Sequence, residues 1–247
     1  MTHIAIHGAQ GRMGRTLCQL IDHSADLKLG PTWDQGNAES ISKEITTACV
    51  VIDFSAPAAT TKLLHHAINS GTPLVIGTTG LSTNDEKEIH AAAKKIPVVY
   101  SGNYSLGVNV LTALVERAAA ALPHELFDLE VFEMHHNKKV DAPSGTALML
   151  GRAGADARGQ KLDDVITPAR HGHTGARREG EIGFSVARGG DVAGDHTVFF
   201  FGPQERLELT HRATDRAIFA RGALHAARWV IDRPAGLYTM RDILGIN

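Results

Sequence analysis

Four potential cations, His135, His136, Lys138 and Lys139, fall within five residues in the stretch Glu133-Met-His-His-Asn-Lys-Lys-Val-Asp-Ala-Pro-Ser-Gly-Thr-Ala147. The Pro-Ser-Gly-Thr that follows has the character of a loop opening a helix. Cations beside a helix N-terminus suit a small molecule carrying more than one negative charge. A histidine and a lysine together also supply two groups able to donate protons near neutral pH. The pairing points to an enzyme acting on a small dianion. Each residue also has a plainer reading. The histidines could be structural, the lysines solvated, and Asp141 and Ser144 caps of the helix beginning near Pro143.

A second group of residues suits a dinucleotide. Gly8-Ala9-Gln10-Gly11-Arg12-Met13-Gly14 follows a strand-like run, His3–His7, and opens a helical pattern in which Met13, Leu17, Leu20 and Ile21 recur. Glycines there allow a tight turn and bring backbone N–H groups close to a pyrophosphate at the helix N-terminus. The spacing is G-x-x-G-x-x-G and not the commoner G-x-G-x-x-G. Asp34 ends the next strand pattern, twenty residues after Gly14, where an acid would bind the adenosine ribose hydroxyls. Two further turns, Gly77-Thr78-Thr79-Gly80 and Ser101-Gly102-Asn103-Tyr104, end strand patterns on the same sheet edge and could hold the nicotinamide half.

The elements that would carry these residues divide in two. Strand patterns at 27–33, 49–54, 73–77 and 97–101 alternate with helical stretches at 58–69 and 84–95. They predict parallel βαβ units in a doubly wound, Rossmann-type sheet. Their nearly continuous apolar character predicts that both sheet faces are covered. Beyond a helix at 108–121, a strand at 128–134 and a helix at 145–157, the chain becomes β-rich. Ile182, Phe184 and Val186 fall on one face, as do Leu207, Leu209 and His211, predicting an antiparallel or mixed sheet. Residues 167–180 read as a mobile loop, and 217–231 as a helix returning to the first domain. The expected fold class is α/β: a dinucleotide-binding domain of 1–105 with 216–247, and an α+β substrate and oligomerisation domain of 106–215.

Bulk composition narrows the function. Hydrophobic residues at 43% and charged residues at 21% suit a globular protein, and a net charge of -2 argues against general nucleic-acid binding. Cys18 and Cys49 lie in apolar runs without metal-ligand spacing and read as reduced core residues. No membrane-length run or signal-peptide pattern occurs, so the expected location is the cytoplasm. A metal centre on His135, His136, His171 and His173 is disfavoured, because adjacent histidines seldom converge on one ion. No metal is expected.

The chain resembles the dihydrodipicolinate reductases, also named 4-hydroxy-tetrahydrodipicolinate reductases, of lysine and diaminopimelate biosynthesis. The resemblance is carried by Gly8–Gly14, Val75-Ile-Gly-Thr-Thr-Gly80, Asn103–Asn109, the His135–Ala147 string, His171-Gly-His-Thr-Gly175 and Met240-Arg-Asp-Ile-Leu244. It implies NADH or NADPH as cofactor and a small cyclic imine dicarboxylate as substrate. It also implies a homotetramer assembled through the substrate domain. By the same resemblance His135 and Lys139 are the acid–base pair, and His136, Ser144, Gly145 and Thr146 bind substrate. Gly8 to Met13, Gly77 to Thr79 and Ser101 to Tyr104 match cofactor contacts. Two departures stand out. The segment between Asp34 and Cys49 is shorter than in many members. Gln35 also stands where several relatives place an arginine able to pair with the NADPH 2′-phosphate. Asp34 beside a neutral amide predicts that NADH serves at least as well as NADPH, with Arg12 a possible phosphate ligand. The alternatives are a related imine or amino-acid reductase and a catalytically silent NAD-binding protein. Neither requires the His135–Ala147 string.

Overall fold

The computed structural model describes residues 1–246. In chain order the elements are β1 (Thr2–His7), α1 (Arg12–Asp22), β2 (Leu27–Trp33), α2 (Ile41–Glu44), β3 (Val50–Asp53), α3 (Pro57–Ser70), β4 (Leu74–Ile76), α4 (Thr83–Ala93) and β5 (Pro97–Tyr100). There follow α5 (Leu106–Ala121), β6 (Asp128–His135), α6 (Gly145–Ala157), α7 (Leu162–Val165), β7 (Ile166–Thr167), β8 (Ile182–Arg188), β9 (Gly194–Gly202) and β10 (Glu205–Ala213). The chain closes with α8 (Ala217–Val230), β11 (Gly236–Tyr238) and α9 (Met240–Leu244). These elements form two compact units, Met1–Leu106 with the chain from Ala217 onward, and Gly107–Arg216.

The first unit is a parallel sheet in the order β11-β5-β4-β3-β1-β2. Its apolar strands divide by side-chain alternation. Ile4, Ile6, Val50, Ile52, Val75 and Val99 meet Leu17, Ile21, Ala223 and Ala227 of α1 and α8. Ala5, Val51, Leu74, Ile76 and Val98 meet Leu63, Leu64, Ile89 and Ala92 of α3 and α4. A strand buried on both faces has no polar face to show, which is why these runs read as continuously apolar. Each fully buried Leu or Ile contributes about 1.5–3 kcal/mol.

Local signals place the helix ends. Pro57 occupies the first turn of α3, and Gly71, at φ 71°, ends it in the left-handed conformation. Ser82 and Asp85 form a reciprocal capping box on α4. Gly11 caps α1 without a side-chain bond, so the first-turn N–H groups of that helix face outward unclaimed by a cap. Strand order reverses at β1, which lies between β3 and β2. The loops leaving β1 and β3 therefore diverge and open a crevice at the carboxyl ends of the strands.

Several details differ from the sequence expectations. The short segment after Asp34, for which the sequence reading named no element, holds α2 and flanking 3₁₀ turns that bury Ile41 and Ile45, and Trp33 Nε1 donates to Glu44 at 2.9 Å. Gly236–Tyr238 adds β11 beside β5, a strand too short to show periodicity. Cys49 is exposed just before β3 and is not a core residue, whereas Cys18, within α1, is half-buried and packs against the core.

The second unit is a mixed sheet ordered β10-β9-β6-β8-β7, with β6, β8 and β7 parallel and β9 antiparallel to both β6 and β10. One face packs Leu129, Val131, Phe184, Val198 and Phe200 against Leu111, Val115 and Leu150 of α5 and α6. A Cβ on Gly151 would lie 2.4 Å from the Phe184 ring, so the glycine sets how closely α6 approaches the sheet. In the segment read as a mobile loop, 167–180, two arginines are engaged by carboxylates. Arg170 donates to Glu130 at 2.9 and 3.0 Å and pairs with Glu181. Arg177 reaches Asp128 at 2.7 Å and Glu130 at 3.1 Å. Low apolar content concealed these pairs, because the partners are the carboxylates of Asp128, Glu130 and Glu181.

Candidate active site

In the second unit the chemistry gathers where β6 ends. Alternation along β6 turns Leu129, Val131, Glu133 and His135 inward. Glu133 is therefore a fully buried carboxylate. Three donors compensate it: Arg188 binds both oxygens at 2.8 and 2.9 Å, the Ser144 N–H donates at 3.0 Å, and His135 Nδ1 lies 2.5 Å away. Burial alone would push the Glu133 carboxyl up. Arg188, His135 and the Ser144 N–H outweigh it and hold the group below its ordinary range. His135 is shifted down, first by burial and then by the charges of Lys139 and Arg188, against the pull of Glu133. With Nδ1 on the carboxylate, Nε2 is the nitrogen left to exchange a proton.

A second histidine closes this group. His196, directly across the β6–β9 ladder from Glu133, packs edge-on against His135 with ring centroids 5.1 Å apart. Its Nε2 lies 3.0 Å from Ser144 Oγ, and burial with the neighbouring His135 lowers it to about 4. It is thus a neutral ring at working pH. Ser144 is also the N-cap of α6, accepting from Ala147 N–H at 3.2 Å. Gly145 and Thr146 form the first turn above that cap.

The loop between β6 and α6 carries the remaining cations. Lys139 pairs with Asp141 at 2.8 Å and is about one-fifth exposed, so its ammonium sits at the rim. The His136 N–H donates to Val192 O at 2.8 Å, and His136 Nδ1 accepts from the Lys138 N–H at 3.2 Å. Lys138 itself is exposed. Glu133, His135 and His196 could in principle offer a metal three ligands within 4.8 Å of one another. Arg188 already engages both Glu133 oxygens and Ser144 Oγ lies against His196 Nε2, whereas His196 Nδ1 is buried without a hydrogen-bond partner. His171 and His173 lie exposed in segment 167–180.

The first unit holds the second group. The Gly8 loop, Asp34 and the residues after β3 line one side of a cavity of about 680 Å³. A Cβ on Gly14 would meet Gly8 O at 2.2 Å, and Gly8 itself has φ 84°, so both positions require glycine. The Gln10 N–H lies 3.1 and 3.2 Å from the two Asp34 oxygens, tying the glycine loop to the end of β2. Ala9 and Met13 pack on the core, Gly11 caps α1, and Arg12 points from its first turn as an exposed residue. Gly77 approaches the Phe54 ring closely, Thr79 and Gly102 are exposed, and Ser101 Oγ donates to Asn103 O at 2.8 Å. Tyr104 differs from expectation. Its side chain is buried, and its hydroxyl donates to Ile76 O at 2.8 Å, so any cofactor contact there is left to the backbone.

A buried network not read from the sequence underlies these turns. Asp53, fully buried at the end of β3, accepts from Thr60 Oγ1 and Ser55 Oγ at 2.5 Å each and from Thr78 Oγ1 at 3.1 Å. His7 Nδ1 lies 2.9 Å away. One carboxylate thus joins the ends of β1, β3 and β4. Glu133, Arg188 and His196 escaped notice in the same way. Period-two placement of Glu133 beside three inward neighbours was the available signal. Arg188 and His196 become neighbours of Glu133 only through strand pairing.

Residues 2–104 match the family model described as dihydrodipicolinate reductase, N-terminus, and residues 107–244 match its C-terminal counterpart. The chain belongs to the dihydrodipicolinate reductase family. Dihydrodipicolinate reductases are pyridine-nucleotide-dependent reductases with a dinucleotide-binding fold, and the crevice at β1 is where such a fold holds its ligand. The chain is 51% identical to a 4-hydroxy-tetrahydrodipicolinate reductase of Caulobacter vibrioides, covering 99% of this chain and 97% of that one. It is 44% identical to the protein of the same name from Nitrosomonas eutropha, covering 100% and 99%. A solved dihydrodipicolinate reductase from Paenisporosarcina, described as dipicolinate-bound, shares the fold at a TM-score of 0.77 and 21% identity, over 97% of both chains.

Proposed function

We propose that this chain reduces 4-hydroxy-tetrahydrodipicolinate, a cyclic imine dicarboxylate, to tetrahydrodipicolinate with loss of water. The observation that carries the reading is the Glu133–His135 pair at the end of β6, beside the Ser144 cap and the Lys139 rim. Loss of the 4-hydroxyl as water gives a conjugated imine; hydride addition and one proton complete the product. Nicotinamide, when bound, supplies the hydride. The chain's residues supply the rest. Gly145 and Thr146 at the α6 N-terminus, with Lys139 and His136, receive the carboxylates, because the positive end of a helix and side-chain cations both favour anions there. His135, oriented through Nδ1 by Glu133, transfers a proton at Nε2, with Lys139 the second donor.

NADH serves at least as well as NADPH in this reading, supported by Asp34 at the end of β2 and the neutral Gln35 beside it. Gly8 to Met13, Gly77 to Thr79 and the backbone of Ser101 to Tyr104 are assigned to the cofactor. We also propose a cytoplasmic homotetramer. No helix among the described residues is long and apolar enough to cross a membrane. The test is an assay with freshly generated substrate, following NADH and NADPH oxidation separately. His135→Ala and Lys139→Ala should each lower kcat by about 10²–10⁴-fold. Near-normal kcat in both would remove the acid–base assignment, and a KM for NADPH far below that for NADH would remove the cofactor preference.

A further inference from the structure

We infer that Lys62, through its ammonium, holds a 2′-phosphate in this chain's nucleotide cavity, with His66 one turn further along α3 as a second polar contact. The inference rests on the dinucleotide-reductase reading above and names the residues that set its cofactor range. The cavity has Asp34, Gln35 and Gly36 on one side, and α3 contributes Lys62 and His66 to its lining. Residues 62 and 66 are four apart and so share a face of the helix. The rotation of α3 is fixed by its buried stripe, Thr60, Leu63, Leu64 and Ala67, which packs on the sheet and leaves the 62–66 face to the cavity.

The charge arithmetic of the cavity calls for such a cation. A 2′-phosphate brings nearly two negative charges toward the end of β2, where Asp34 is already anionic and Gln35 offers no cation. Two features soften that conflict. Asp34 accepts the Gln10 N–H through both oxygens, so part of its field is spent on the glycine loop. Lys62 and His66 form no side-chain ion pair among the described residues, leaving them free to meet an incoming anion. Arg12, the cation that sequence alone suggested, is not among the residues lining this cavity.

The test compares dissociation constants of NADH and NADPH, and of 5′-ADP and 2′,5′-ADP, for the full chain, by quenching of intrinsic fluorescence or calorimetry. Lys62→Ala should raise the NADPH-to-NADH ratio of Kd roughly tenfold, as loss of one charge-assisted contact implies, and the 2′,5′-ADP-to-5′-ADP ratio alike. Adding His66→Ala should raise both ratios further, whereas Arg12→Ala should leave them in place. Equal weakening of both members of a pair would overturn the inference, since it would put Lys62 on the adenine or pyrophosphate. Unchanged ratios would overturn it too, as would a selective loss in Arg12→Ala. A wild-type chain that binds none of the four nucleotides would instead defeat the dinucleotide reading itself. Lys62 is exposed, so these variants should fold normally.

Discussion

Glu133 shows how much the state of one side chain depends on its neighbours. A carboxylate with no exposure would ordinarily gain a proton, yet Arg188, the Ser144 N–H and His135 keep it charged. That charge in turn pulls the His135 pKa upward against burial. The sign follows directly. Removing the Glu133 charge leaves burial, Lys139 and Arg188 unopposed, so the His135 pKa falls further. In Glu133→Gln the limb of the kcat profile that reports loss of the His135 proton should therefore move to lower pH. A limb that stays in place would show that His135 is not the titrating group. The cluster of histidines and lysines was legible from residue types and spacing, while the choice of His135 and Lys139 within it came from the family resemblance. Glu133 was half legible, through alternation on β6. Arg188 and His196 were not, because they lie 55 and 63 residues away in sequence and arrive by strand pairing.

Among elements, the turn from β1 into α1 is the most exacting. Gly14 is helical, so its backbone alone does not demand glycine; its neighbours do. A Cβ there would lie 2.2 Å from Gly8 O and 2.5 Å from Ala9 Cα, both backbone atoms that no rotamer can move. Gly14→Ala should therefore displace the glycine loop and abolish measurable NADH binding by fluorescence titration. Retained micromolar affinity would mean the loop is not the pyrophosphate cradle. This element was readable in advance because glycines between a strand and a helix carry a steric meaning. The segment 167–180 was not. Its ion pairs come from Arg170 and Arg177 finding Asp128, Glu130 and Glu181, and a Gly-, His- and Arg-rich string looks the same whether or not such partners exist.

The second sheet has one face packed by α5 and α6, and its opposite face carries aromatic side chains. Phe199 and Phe201 stack there with centroids 5.4 Å apart, and Phe201 is 38% exposed. Phe132 and Met134 of β6 share that outward face by alternation. Asp128, Glu130, Thr197, Glu208 and Thr210 share that face too, so its aromatic side chains stand among polar and charged ones, as in the mixed surface of a protein–protein interface. If the proposed tetramer assembles through this face, Phe199→Lys with Phe201→Lys should lower the mass measured by light scattering toward smaller species while leaving far-ultraviolet circular dichroism unchanged. An unaltered tetramer would assign assembly to another surface.

Composition, periodicity and the two glycine- and histidine-bearing strings were enough to read the α/β class, the parallel first sheet and a cluster of four potential cations, from which only the family resemblance singled out His135 and Lys139. These are local properties, encoded by neighbours within a turn or a strand. The tertiary structure alone decided which groups would be charged, neutral or committed: Glu133 clamped, His196 neutral, Asp34 bonded to Gln10, Tyr104 in the core, Asp53 joining three strand ends. Such states depend on burial and on partners far apart in the chain, and both exist only once the strands have paired.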